Sequence, residues 1–106
     1  MRRRLIDIAR VLRSKNAGPF AITLDVILPT RECFEEVASQ LTPEVVARAY
    51  RLDPGAVLGI VQYPVLNALK INIRRSVPAG EPGDTDVYGA QQHVPLGMIE
   101  VEVENC

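Results

Sequence analysis

The segment 20–28 constrains the fold more than any other part of the sequence. Its apolar residues recur at every second position and form one face: Phe20, Ile22, Leu24 and Val26. The intervening positions include Thr23 and Asp25, so the second face is half polar. This period of two predicts a β-strand with one face in a core and the other facing a more polar environment.

Two helices are predicted after this strand. Pro29 ends the strand, and Thr30 is placed to cap a helix over residues 31–41, in which apolar residues recur at helical spacing. Thr42 is followed by a proline and an acidic residue, an order typical of a helix start. A second helix is therefore predicted over 43–52.

The second half of the sequence predicts three more strands. Segments 56–63 and 69–75 are joined by a short link that contains a proline, which predicts an antiparallel pair, and segment 98–104 alternates apolar residues with glutamates. The long polar loop 76–97 is rich in glycine and proline. Loops of this length are usually functional or disordered, and the apolar residues in this one favour order.

The N-terminal part of the chain is less clearly patterned. Residues 5–13 fit an amphipathic helix, and a strand is the alternative that nine residues leave open. Gly18 and Pro19 predict a loop over 14–19. Six of the 12 basic residues lie within the first fifteen positions, and three glutamates lie near the other end. A solvated basic tip is favoured over pairing between the two ends.

Composition limits the class of protein. A length of 106 residues with 47% apolar content fits a single domain over residues 1–106. A net charge of −1 argues against a nucleic-acid partner. Two cysteines allow at most one disulfide, and Cys33 is expected to be a packed thiol. The apolar stretches are too short or too interrupted by charge for a membrane span or a signal peptide, which predicts a cytoplasmic protein without membrane contact.

The polar run 83–93 contains the candidate catalytic residues. His93 is the only histidine, and an imidazole can move protons near neutral pH. Asp84 and Asp86 are available to orient it. The alternative is that His93 completes a structural hydrogen-bond network. These three residues could also bind a metal, but Asp-x-Asp is a weak signal, and neither a metal nor a cofactor is predicted.

Two further groups are candidates for ligand or partner binding. The first is the predicted basic loop: Arg13, Ser14, Lys15, Asn16 and Gly18. Its guanidinium and ammonium groups suit a carboxylate or phosphate, and a solvated turn is the alternative. The second group is Tyr88, Gln91 and Gln92. These side chains either contact a ligand or partner, or hold the loop on its own sheet.

Three motifs carry a resemblance to a known family. They are Arg-Ser-Lys-Asn-Ala-Gly-Pro-Phe at 13–20, Thr-Leu-Asp at 23–25 and Gly-Asp-Thr-Asp-Val-Tyr-Gly-Ala-Gln-Gln-His at 83–93. These motifs look like the signatures of a small stand-alone bacterial family of unknown function. That family is similar to the C-terminal ferredoxin-like domain of acyclic-terpene-utilisation (AtuA-type) proteins. The resemblance covers roughly residues 5–103.

The resemblance implies an α+β fold of the ferredoxin-like sandwich type, with a mainly antiparallel sheet, helices on one face and an irregular second crossover. It also implies association with a larger AtuA-type subunit in the catabolism of organic acids or their CoA thioesters. A small accessory subunit, incomplete or non-catalytic alone, is therefore expected. The alternatives are a self-contained homo-oligomeric enzyme of lyase or hydratase type that binds an acidic substrate, and a small-ligand sensing module.

Overall fold

The computed structural model describes residues 1–18, 20–74 and 93–106. In chain order, its elements are β1 (Arg2–Arg4), α1 (Leu5–Ile8), β2 (Val11–Asn16), β3 (Ala21–Ile27), α2 (Arg31–Gln40), α3 (Pro43–Tyr50), β4 (Val57–Tyr63), β5 (Ala68–Arg74), α4 (His93–Gly97) and β6 (Glu100–Glu102). A four-stranded antiparallel sheet has the order β2-β3-β5-β4, and β1 pairs with β6 in a separate ribbon. The predicted α+β class is confirmed.

A hydrophobic cluster joins the helices to one face of the four-stranded sheet. Leu24 of β3 and Ile71 of β5 lie opposite each other and are fully buried. Phe34 of α2 and Val46 of α3 pack into the same cluster. The residues of the four-stranded sheet in this cluster all come from one side of it, so the predicted core face is confirmed for Ile22, Leu24 and Val26. Phe20, predicted on the same face, precedes β3 and is 61% exposed.

Threonine side chains begin both long helices. The Thr30 hydroxyl accepts a hydrogen bond from the backbone N–H of Cys33 at 3.1 Å, and the Thr42 hydroxyl accepts one from Val45 at 3.3 Å. These bonds satisfy donors that have no partner within the helix, and a cap of this kind stabilises by about 1 kcal/mol. Both predicted helices are confirmed, and each ends one or two residues earlier than expected.

The N-terminal segment differs from its predicted structure. Helix α1 ends at Ile8, and the next regular element is strand β2, which also includes the first three residues of the predicted loop 14–19. The helical interpretation of 5–13 is therefore wrong beyond Ile8. Strand β2 pairs antiparallel with β3 over its whole length. The spacing of apolar residues in 5–13 fits both a helix and a strand, and pairing with β3 selects the strand from Val11 onward.

The ferredoxin-like arrangement is not confirmed. A ferredoxin-like unit draws its four strands from one β-α-β-β-α-β succession, which here would begin at β3 and end at β6. Strands β3, β4 and β5 do lie in one sheet, but the fourth strand of that sheet is β2, which precedes the succession. Strand β6 pairs with β1 instead, outside the sheet.

The basic and acidic ends of the chain pair with each other. In the ribbon, Arg2 lies opposite Glu102 and Arg4 lies opposite Glu100. The Arg2 Nε atom also donates to the Glu100 carboxylate at 3.1 Å. The pairing that the sequence disfavours is therefore present, and the charge asymmetry contributes to a contact within the chain.

Two side chains of α2 hold the end of β6 and the segment that follows it. The Gln40 amide donates to the carbonyl of Glu102 and accepts from its N–H, both at 2.7 Å, as a neighbouring strand would. One turn earlier, the Glu36 carboxylate accepts hydrogen bonds from the N–H groups of Glu104 and Asn105. These bonds, above all that from the Asn105 N–H, hold the pKa of Glu36 below its ordinary value of 4.5.

A disulfide completes this attachment. Cys33, at the start of α2, is bonded to Cys106, and their Cα atoms are 4.8 Å apart. The expectation of a packed free thiol is therefore wrong. The two cysteines are 73 positions apart in the sequence. They come together because β6 pairs with β1 and is hydrogen-bonded to Gln40 of α2.

Glu36→Gln is expected to make the protein less stable at neutral pH and to remove part of its sensitivity to acid. Because the folded-state pKa of Glu36 is lowered, its contribution to stability is present above pH 4.5 and is lost as the pH falls through the folded-state pKa. Urea unfolding midpoints of both proteins, measured from pH 7 down to pH 3, should therefore converge in acid. Glu35→Gln is the control, since it removes a carboxylate from the same helix. A constant difference at every pH would contradict this account.

Helix α4 forms the end of the predicted loop 76–97, whose last five residues are therefore helical. Pro95 is accommodated because it lies in the first turn, where its missing N–H leaves no hydrogen bond unmade. Helix α4 packs against α1, α3 and β2. Tyr50 of α3 makes a hydrogen bond with the backbone of Leu96 in α4. Burial raises the pKa of the Tyr50 phenol above its ordinary value of 10.0. The rest of that loop lies outside the described residues.

Candidate functional site

The side of the sheet opposite the helices carries polar and charged side chains, and we call it the open face. Within the described residues, the helices join the hydrophobic core on the other side of the sheet. Its polar members are Arg13 and Lys15 on β2, Thr23 and Asp25 on β3, and Lys70, Asn72 and Arg74 on β5. Residues that pair across antiparallel strands point to the same face. Arg13, Asp25 and Lys70 therefore form one row across the sheet, and Lys15, Thr23 and Asn72 form the next.

A salt bridge orients the charged row. The Arg13 Nε atom donates to Asp25 Oδ2 at 2.9 Å. The Asp25 side chain is 12% exposed, whereas that of Arg13 is 64% exposed. A carboxylate held away from water is destabilised unless a cation or donor compensates it, and Arg13 does so here. In return, Asp25 fixes the direction of the guanidinium across the open face.

The next row contains a second polar contact. The Thr23 hydroxyl donates to Asn72 Oδ1 at 2.8 Å, and Thr23 is buried between the neighbouring strands. This bond holds the Asn72 side chain against the sheet and directs its NH₂ group away from Thr23. The described open face therefore has fixed donors beside its cations, which suits an anion that accepts several hydrogen bonds.

A pocket of about 270 Å³ lies over the charged row. Its lining residues are Arg13, Lys15, Asp25, Ile27, Tyr63, Leu66, Ala68, Leu69 and Lys70. Three cations thus face one carboxylate, and the local charge is positive. The Lys70 Nζ atom also lies 6.0 Å from the centroid of the Tyr63 ring, in the range of a cation–π contact. The pocket can hold a small anion, with an apolar wall on one side.

The structure divides the predicted basic group into two. Arg13 and Lys15 point to the open face, whereas the strand alternation directs Ser14 and Asn16 to the side of the helices. Ser14 is buried there. Gly18 has a φ of 95° in the turn between β2 and β3, a conformation that favours glycine. These five residues therefore do not form one loop site, and only the two cations reach the pocket.

Of the predicted catalytic group, only His93 lies within the described residues. His93 is the first residue of α4, which packs on the same side of the sheet as α1 and α3, opposite the pocket. The remaining predicted members, Asp84, Asp86, Tyr88, Gln91 and Gln92, lie outside the described residues. The proposed partnership of His93 with the two aspartates therefore stays a prediction.

Sequence reasoning did not assign three of the pocket's charged and aromatic residues to a site: Asp25, Tyr63 and Lys70. The signal was present in part. The alternation in 20–28 places Asp25 on the half-polar face, and the alternation in 69–75 places Lys70 on a solvated one. Which residues of these strands become neighbours depends on the sheet order and register, which alternation within a single segment does not contain.

A second cavity, of about 510 Å³, lies between α3, α4 and the ribbon, and its charged residues are Arg2, Arg48 and Glu100. The salt bridge between Arg2 and Glu100 compensates part of its charge. In the described ranges 1–18, 20–74 and 93–106, no three His, Cys, Asp or Glu side chains are grouped to hold a metal. No helix within those ranges is long and apolar enough to cross a membrane.

Comparison with known proteins identifies a family. The chain has no significant match among curated proteins or among solved structures. A family profile described as "Domain of unknown function (DUF4387)" matches residues 5–100. The expectation of a small family of unknown function is thereby confirmed, and the match spans the four-stranded sheet and all four described helices. The chain belongs to the DUF4387 family.

Proposed function

We propose that the protein is a small accessory subunit of an AtuA-type enzyme that acts in the cytoplasm on organic acids or their CoA thioesters. In this proposal, the pocket on the open face binds the anionic group of the acid or thioester. The motifs at 13–20, 23–25 and 83–93 support the association with an AtuA-type partner. The protein's own contribution is then to hold the substrate's charge at the edge of the partner's active site.

The observation that carries the binding role is the convergence of Arg13, Lys15 and Lys70 on one pocket. Arginine offers a planar fork of donors that matches a carboxylate or phosphate, and lysine adds a point charge. Asp25 aligns the Arg13 guanidinium before any ligand arrives, which lowers the entropy lost on binding. Such a pocket suits recognition of a charged group.

Lys70→Glu is expected to weaken the binding of a small organic acid by at least about tenfold, because it replaces an attractive charge with a repulsive one. Calorimetric titration with butanoate and with butanoyl-CoA measures the effect. Arg31→Glu is the matched control: it makes the same change in net charge on α2, where Arg31 is exposed and pairs with Glu35. Equal affinities for the two variants would remove the pocket from the proposal.

The subunit role is tested separately by native mass spectrometry of the protein purified from its host's extract at low salt. We expect a stoichiometric complex with a large AtuA-type subunit, identified from its peptides. Recovery of the protein without that subunit would contradict the accessory role. It would leave the butanoate result unaffected, so the two parts of the proposal fail independently.

A further inference from the structure

The hairpin of β4 and β5 begins with an uncharged and exposed stretch. No charged residue occurs over 54–69. Five of the ten exposed large apolar side chains in the described chain lie within it: Leu58, Val61, Tyr63, Val65 and Leu66. Single exposed apolar residues are common on protein surfaces, but a concentration of this kind marks an interaction site.

Strand β4 is also an edge of the four-stranded sheet. It pairs with β5 on one side, and no described strand pairs with its other side. Edge strands are usually protected by charges, proline or short length, since their free N–H and C=O groups can pair with another chain. The opposite edge, β2, carries Arg13 and Lys15. Strand β4 carries no charge or proline over its seven residues, and a bulge interrupts it only near Gly59.

The sequence of β4 is complementary to itself. If two copies pair antiparallel with Val61 opposite Val61, then Gly59 of each copy lies opposite Tyr63 of the other. Gly59, Val61 and Tyr63 all point to the open face. Their partners on β5 are Asn72, Lys70 and Ala68, whose side chains lie on that face. The space beside Gly59 is empty within 4 Å of where a Cβ would lie. An aromatic ring across from a glycine on an edge strand is a stabilising arrangement.

We propose that two copies of this chain associate through their β4 edges, centred on Val61, to form one continuous eight-stranded sheet. The two-fold axis of such a pair is perpendicular to the sheet, so the helices of both copies lie on one side and both open-face pockets lie on the other. A second copy fits this edge because neither side carries a charge that needs a counter-charge. This proposal does not depend on the identity of the ligand or of a larger partner.

Analytical ultracentrifugation tests the association. The wild-type protein is expected to sediment at twice the chain mass of 11.7 kDa. Val61→Lys places like charges opposite each other at the two-fold axis and is expected to weaken dimerisation at least about tenfold. Val94→Lys is the control, since Val94 is similarly exposed on α4. A monomeric wild-type protein, or equal dimerisation of the two lysine variants with unchanged circular dichroism, would overturn the proposal.

Cross-linking tests the register. Residues opposite each other in an antiparallel pair have Cα atoms about 4.5 to 5.5 Å apart, within the range that a disulfide spans. Val61→Cys is therefore expected to form a covalent dimer on mild oxidation, whereas Val94→Cys is not. Dimers of the Val94 variant alone, or of both variants equally, would show that contact occurs elsewhere.

Discussion

Reduction of the bond between Cys33 and Cys106 is expected to lower the free energy of unfolding by about 4 kcal/mol, because the bond closes a loop of 73 residues in the unfolded chain. For a domain of this size, that loss corresponds to a fall of roughly 18 °C in Tm. The native contacts of Gln40 with the end of β6 and of Glu36 with the segment after it remain available in the reduced protein. We therefore expect a folded but much less stable protein, measured by thermal unfolding with and without a reductant.

Cys106→Ser provides the control for this experiment. It removes the bond at Cys106, which is partly buried at the margin of the core, and leaves the fully buried Cys33 in place. Its Tm should match that of the reduced wild-type protein and should not respond to reductant. Equal Tm values for oxidised and reduced wild-type protein would contradict the assignment. The Tm of the reduced protein is also the one that applies in the proposed cytoplasmic setting, where thiols are kept reduced.

Elements with a strong local pattern were predictable from the sequence. The strict alternation in 20–28 fixes both the strand and the face that it buries, since a shift of one residue would expose Leu24. Thr30 and Thr42 mark helix starts because each hydroxyl accepts a hydrogen bond from a backbone N–H that has no partner within the helix. In each case the decisive interaction connects residues within a few positions of one another.

Elements that depend on distant partners were not predictable in this way. Residues 11–16 become a strand because β3 offers a free edge, although the spacing in 5–13 also fits a helix and residues 14–16 belong to the predicted loop. The pairing of β1 with β6 and the bond between Cys33 and Cys106 join positions that are far apart in the sequence. Whether such groups meet depends on the topology of the sheet.

The candidate site shows the same division. From their residue types, Arg13 and Lys15 are predicted, together with Ser14, Asn16 and Gly18, to be candidates for binding a carboxylate or phosphate. Because Arg13 and Lys15 lie in a strand, their side chains point to the opposite face from Ser14 and Asn16. The same strand pairing places Asp25 beside Arg13 as its salt-bridge partner. The two cations of the candidate site were therefore predictable from the sequence, but the other residues of the pocket required the register of β2 against β3 and of β3 against β5.

Leu24→Ala is expected to lower the free energy of unfolding by about 2 to 5 kcal/mol, because truncation of a fully buried leucine removes apolar contacts and leaves a cavity. Leu24 lies on β3, which is paired on both sides, with Ser14 and Ile71 opposite it. The surrounding strands therefore have little freedom to collapse into the space. Since domains are stable by only about 5 to 15 kcal/mol, this loss is a large fraction of the total. Urea unfolding at neutral pH measures it.

Thr23→Val is the matched control on the neighbouring residue. It preserves the shape of the side chain and removes the hydrogen bond to Asn72 on the open face, at a cost of about 1 kcal/mol. The two substitutions should also separate in their effects on ligand binding. Thr23→Val alters a row beside the pocket, whereas Leu24→Ala acts on the opposite side of the sheet and should leave the affinity of the folded protein for butanoate unchanged. Equal losses of stability would contradict the division of β3 into a core face and an open face.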